Sequence, residues 1–160
     1  GTRIGLRAPR GATRAASAPQ TAPGPPAPTA PPPRRSDRCR VLIVDDHRVV
    51  REGLRELLDA ETDLEVVGEA AGGRAAIDLA RRLQPDVVVM DVNLPDLDGV
   101  DATRQITRAW PRTRVVALSM HTGETVARNM EAAGARAYLA KGGPADDLVA
   151  AIRSCQAAGP

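Results

Sequence analysis

The sequence predicts a doubly wound α/β sandwich, and three observations carry the prediction. Short apolar runs recur at Val41–Val44, Leu64–Val67, Val87–Met90, Val115–Leu118 and Ala137–Leu139. Their starts lie 23, 23, 28 and 22 residues apart, the length of one strand, one helix and two turns. The runs do not alternate between polar and apolar residues, which suits strands of a parallel sheet buried on both faces, and helical periodicity fills the segments between them.

Each unit has its own signals. After the first run, Val50, Leu54, Leu57 and Leu58 share one helical face. After the second, Ala76, Leu79, Ala80 and Leu83 do the same. After the third, Asp98 precedes Gly99–Val100 as an N-cap. After the fourth, Thr122 is the expected cap before Glu124. After the fifth, Pro144 takes a first-turn position, Asp146 and Asp147 sit near the positive end of the helix dipole, and Leu148, Ala151, Ile152 and Cys155 face inward. Right-handed crossovers restrict the topology of five such units to very few arrangements.

Composition excludes several classes. The 160 residues include one Trp, one Tyr and no Phe, so the core must be aliphatic. No apolar run approaches the ~18 residues of a membrane span. Two cysteines 116 positions apart make neither a disulfide framework nor a zinc site, and two histidines 74 apart do not suggest a His-based metal or haem site. Cys39 and Cys155 are expected at the same end of the domain, reduced in a cytoplasmic compartment. The net charge of +2 hides an asymmetry: residues 1–40 carry +7, and residues 41–160 carry −5. A mildly acidic domain argues against direct nucleic-acid binding. Residues 1–37 hold nine of the 14 prolines and show no periodicity, so they are expected to be a disordered Pro/Ala/Arg-rich extension. Residues 38–156 are then the folded domain and 157–160 a tail or the start of a linker.

Ligands of open α/β sheets sit beyond the carboxyl ends of the strands. There the first strand ends in Asp45–Asp46, the third in Asp91 followed by Asn93, the fourth in Ser119, and the fifth is followed by Lys141. Three carboxylates in close quarters need a cation between them, and hard oxygen ligands suit Mg²⁺. A carboxylate beside Mg²⁺ and an ammonium can attack phosphorus and form an aspartyl phosphate. Metal, ammonium and hydroxyl can each cover one phosphoryl oxygen. A compact ammonium fits this role better than a guanidinium fork, which accounts for a single Lys among 21 Arg. Singly, each residue has a plain structural reading as a cap, a turn or a solvated charge; together, at successive strand ends, they point to phosphoryl chemistry.

The motifs VLIVDDH (41–47), VVVMDVNLPDLDG (87–99), VVALSMH (115–121) and AYLAK (137–141) resemble the receiver domain of bacterial two-component response regulators. The resemblance covers about 72% of the chain, from Arg40 to Ser154. His47, Arg51–Glu52–Gly53–Leu54 and His121 resemble the NarL/FixJ subfamily, whose receivers precede a LuxR-type helix-turn-helix. The resemblance implies a flavodoxin-like, CheY-like sheet of order 2-1-3-4-5 with five helices. It implies Asp91 as phosphoacceptor, and Mg²⁺ on Asp45, Asp46, Asp91 and the Asn93 carbonyl. It implies Lys141 as the phosphoryl contact, Ser119 as the switch hydroxyl and Tyr138 as the switch aromatic. The implied phosphodonor is a sensor histidine kinase, with homodimerisation, self-catalysed phosphotransfer and slow autodephosphorylation rather than enzymatic turnover of a substrate. The expected output is transcription through a C-terminal DNA-binding domain absent from this chain; the alternative is a stand-alone receiver acting on a protein partner. The protein is expected in the cytoplasm and off the membrane. An aspartate-nucleophile phosphatase of the haloacid dehalogenase type is disfavoured because Asn93 stands where that chemistry needs a second carboxylate. His47 reads as a helix-start residue and Trp110 as a cover for the bottom of the sheet. His121 reads either as a neighbour of the hydrolytic water or as a plain loop histidine.

Overall fold

The computed structural model describes residues 37–121 and 123–157. The expectations for residues 1–36, the Thr122 cap and residues 158–160 lie outside the described residues. Strand and helix alternate five times: β1 (Cys39–Val44), α1 (Arg48–Asp59), β2 (Leu64–Ala70), α2 (Gly73–Leu83), β3 (Val87–Asp91), α3 (Gly99–Ala109), β4 (Arg114–Ser119), α4 (Glu124–Ala132), β5 (Ala137–Ala140) and α5 (Ala145–Ala157). All strand pairs are parallel and the order is β2-β1-β3-β4-β5, as expected.

Side chains alternate across a strand, so every central strand feeds two cores. Val41 and Ile43 of β1 join Val87 and Val89 of β3 in a cluster closed by Leu58 of α1 and Leu148 and Ile152 of α5. Leu42 and Val44 point the other way, into a cluster with Ala76 and Ala80 of α2, Ala102 and Ile106 of α3 and Met130 of α4. Two buried faces explain why β1 and β3 read as unbroken apolar runs. The expectation fails at the edge: β5 is only half-buried and its Ala140 is exposed, because it has one strand neighbour. Each strand also extends one to three residues beyond its apolar run at one or both ends.

The starts of α4 and α5 are built on glycine and proline. Gly123 is the N-cap of α4 and offers no side-chain cap. Pro144 directly precedes α5, with its carbonyl accepting from the Asp147 N–H. Asp98 does cap α3, its carboxylate accepting from the Val100 N–H at 2.8 Å. Trp110 is the C-cap of α3 and packs against the second cluster. Cys39 and Cys155 are both buried in the first cluster, at the start of β1 and near the end of α5, and no disulfide joins them.

Candidate functional site

Strand register brings the sequence-predicted residues together. Val44 of β1 pairs with Met90 of β3, so Asp45 and Asp91 leave their strands side by side. Asp91 pairs with Leu118, which sets Ser119 one step beyond it, and Ser119 pairs with Ala140, which delivers Lys141 next. The Lys141 N–H closes this edge by donating to the Ser119 carbonyl at 2.9 Å.

The site is buried at its centre and open at its rim. Asp45, Asp91 and Ser119 are 1–2% exposed, whereas Asp46 and Asn93 lie at the surface. Lys141 Nζ stands 2.7 Å from Asp45 Oδ2 and 3.2 Å from Asp91 Oδ1. Asp91 Oδ1 also accepts from the Asn93 N–H at 3.1 Å. Asp91 Oδ2 is buried and has no hydrogen-bond partner among the described residues. An orphaned carboxylate oxygen in such a place is costly unless a ligand completes it.

Electrostatics agree. Burial pushes the Asp91 carboxyl above its ordinary value and the neighbouring Asp45 charge adds to the rise, against the opposing pull of the Asn93 N–H and Lys141. Burial alone would pull the Lys141 ammonium down. Its hydrogen bond to Asp45 and the charges of Asp91 and Asp45 outweigh that, and the net shift is upward. Two buried carboxylates thus share one ammonium and retain an excess of negative charge. Ligand atoms of Asp45, Asp46, His47 and Asp91 lie within 4.8 Å of one another, so this set could hold a metal ion. The orphaned Asp91 oxygen and the oxygen-rich donor set fit a hard divalent cation.

Several contributors were not singled out as site residues from the sequence. His47 starts α1 as expected, but its Nδ1 also stands 3.0 Å from Asp46 Oδ1 and 3.3 Å from Asp45 Oδ1. Arg51 donates to the Asp45 carbonyl at 2.7 Å and fixes the acidic corner from α1. The backbone of His121 joins the two proposed switch residues: its N–H donates to Ser119 Oγ at 3.1 Å, and its carbonyl accepts from the Tyr138 hydroxyl. Tyr138 itself is half-buried and packs against the second core cluster. A backbone bridge leaves no side-chain signature, so no motif could have revealed it.

The response regulator receiver domain family model matches residues 41–153. Response regulator UvrY of Escherichia coli K12 is 40% identical over 114 residues, which cover 71% of this chain and 52% of UvrY. A LuxR-family two-component response regulator from Aurantimonas sp. superposes with a TM-score of 0.73 at 38% identity, covering 76% of this chain and 87% of that one. The receiver domain of the response regulator NarL from Mycobacterium tuberculosis gives a TM-score of 0.71 at 31% identity, over 75% and 97% of the two chains. The chain spans about half the length of the curated relatives it matches. With the strand order, the acidic corner and these relatives in agreement, the chain belongs to the response regulator receiver family and is of the NarL/FixJ type.

Proposed function

We propose that Asp91 accepts a phosphoryl group from the phosphohistidine of a sensor histidine kinase, and that the domain catalyses this transfer itself. The observation that carries the reading is the buried Asp91, with one oxygen held by Lys141 and the Asn93 N–H and the other orphaned. In the step, a carboxylate oxygen of Asp91 forms a bond to phosphorus and the phosphorus–nitrogen bond of the donor breaks. The imidazole leaves with the bonding electron pair, and the product is an aspartyl phosphate.

Asp45, Asp46, Asp91 and the Asn93 carbonyl would hold Mg²⁺. When bound, the ion would offset charge on the phosphoryl oxygens. Lys141 is positioned to balance the same charge from the opposite side. Ser119 would donate its hydroxyl to the phosphoryl group, and Tyr138 would respond to that movement. Later attack of water on phosphorus returns the carboxylate and releases inorganic phosphate.

The proposed division is a receiver over residues 38–156, an extension over 1–37, and a tail or the start of a linker over 157–160. The output proposed is transcription, which relatives described as transcriptional regulatory proteins support, through a DNA-binding domain in a longer polypeptide. A cytoplasmic location and homodimerisation of the active form are proposed with this reading. No helix among the described residues is long and apolar enough to cross a membrane.

Incubation with a small acyl-phosphate donor and Mg²⁺, followed by intact-mass measurement, tests the core of this reading. One phosphoryl adduct is expected, absent without a divalent ion and absent in Asp91→Asn. An adduct that persists in that variant moves the acceptor elsewhere.

A further inference from the structure

The β3–α3 loop carries Asn93 and runs on to the cap of α3 at Asp98. Its inner end is tied down by the Asn93 N–H to Asp91 bond and by the Gly99 N–H donating to the Val92 carbonyl at 3.0 Å. Its outer part needs a separate anchor, and α2 supplies one. The N-cap of α2 is Gly72, with extended backbone and no side-chain cap of its own. The cap arrives from the loop instead: Asp96 accepts from the Gly73 N–H at 2.9 Å and from the Arg74 N–H at 3.2 Å. Those two hydrogen bonds, Gly73 first, hold the Asp96 carboxyl below its ordinary value.

The packing around this contact leaves no room for side chains. A Cβ on Gly72 would lie 2.6 Å from Asp96 Oδ1, and one on Gly73 would lie 2.5 Å from the Leu97 carbonyl oxygen. Gly72 and Gly73 are therefore the residues that let the loop close onto the helix. Their absence of side chains also leaves α2 without a cap except the one Asp96 provides. Helix capping and loop placement are thus a single contact, three residues from the carbonyl assigned to the metal.

We propose that Asp96 is a positioning residue for the phosphotransfer site: by capping α2 across the loop, it holds the Asn93 carbonyl where the divalent ion needs it. The inference rests on the reading of Asp91 and Asn93 given above. Asp96 itself lies at the surface, and its two carboxylate oxygens are taken by the Gly73 and Arg74 amides.

The contact can be separated into its two roles. Asp96→Ala removes both the cap and the tether. Adding Gly72→Asn to that variant gives α2 a cap of its own; the three atoms nearest a Cβ at Gly72 all belong to the Asp96 side chain, beyond the Cβ that the first substitution keeps. Mg²⁺ is titrated into each protein while the Asn93 amide is followed by NMR, and thermal melting is measured alongside. Phosphorylation by an acyl phosphate is read against Mg²⁺ concentration. Asp96→Ala should melt earlier and need about ten-fold more Mg²⁺ for half-saturation, with the rate at saturating Mg²⁺ little changed. Asp96→Asn keeps an acceptor oxygen and should regain most of the Mg²⁺ affinity. The double variant should regain melting temperature and not Mg²⁺ affinity. The inference is overturned if the double variant regains both, or if Asp96→Ala titrates like the unaltered protein. If the unaltered protein shows neither a Mg²⁺-dependent shift at Asn93 nor an adduct on Asp91, the functional reading itself falls.

Discussion

Asp91 carries a charge that its surroundings oppose. It is buried beside Asp45, and one ammonium serves both carboxylates. Its folded-state pKa is raised, so between the unfolded value and that raised value the folded protein binds more protons than the unfolded chain. Stability therefore falls as pH rises through this window, and the loss persists at neutral pH. Asp91→Asn removes the excess charge and leaves Lys141 paired with Asp45. Without divalent ions at pH 7, the variant should melt roughly 3–6 °C above the unaltered protein, for about 1 kcal/mol in a domain of this size. The difference should shrink as pH drops below the ordinary carboxylate range. Saturating Mg²⁺ should narrow it too, because a ligand of the native state stabilises by mass action and the Asn site binds the ion less well. Melting curves across pH, with and without Mg²⁺, check all three. A variant that melts below the unaltered protein at pH 7 without Mg²⁺ overturns the argument. The acidic residues and Lys141 were legible in the sequence because each ends a strand. Arg51 and Asp96 were not legible as supports: their partners are a carbonyl at Asp45 and amides at Gly73 and Arg74, and backbone partners leave no trace in residue type.

At the scale of elements, the site depends on how closely α3 starts behind β3. Gly99 opens α3, and a Cβ there would stand 2.3 Å from the Asp91 carbonyl oxygen and 2.8 Å from Val92 Cα. Both atoms belong to the backbone, which cannot yield as a flexible side chain can. Gly99→Ala should therefore displace the strand end that carries Asp91, at a cost of about 1–3 kcal/mol. It should also slow acyl-phosphate-driven phosphorylation. Gly53→Ala is the matched control: Gly53 lies inside α1 with nothing within 4 Å of a new Cβ. A helix-interior Gly→Ala change in open space is stabilising, by up to about 1 kcal/mol. Denaturant unfolding of the two variants should give opposite signs; equal stabilities would remove close packing as the reason for Gly99. The pattern of α1, α2 and α5 was readable from apolar periodicity because each packs one stripe on the sheet. The apolar run of β5 predicts more burial than the strand has, because three apolar residues in a row do not reveal that a strand lies at the sheet edge.

For the whole molecule, the sheet gathers the candidate site at the carboxyl ends of its strands, and the proposed switch would carry its state along β4 and β5. Register places Asp45, Asp91, Ser119 and Lys141 in adjacent strand ends, so a phosphoryl group on Asp91 adds an anion within their common environment. Lys141 already faces Asp91, whereas Ser119 is the neighbour with a hydroxyl to donate, and its oxygen accepts from the His121 N–H. Motion of Ser119 toward the phosphoryl group therefore pulls on, or releases, His121. The His121 carbonyl accepts from Tyr138, whose ring packs in the core cluster that includes Met130 of α4. By the proposed switch, a local electrostatic event would reach the α4–β5 surface through one backbone residue and one aromatic ring. This demands two packings of similar free energy, within a few kcal/mol, which phosphorylation biases. Gly123 and Gly134 flank α4, and Gly142 and Gly143 follow Lys141; Gly134, at φ 109°, has a backbone that other residues rarely adopt. NMR spectra with and without a phosphoryl mimic should differ most across residues 119–145, with the Tyr138 ring among the largest changes. Replacing Tyr138 with Ala should confine the changes to the surroundings of Asp91 while leaving phosphorylation itself intact, because Tyr138 bonds to His121 and to no catalytic group. Changes confined to that neighbourhood in the unaltered protein, with Tyr138 static, would disprove the coupling.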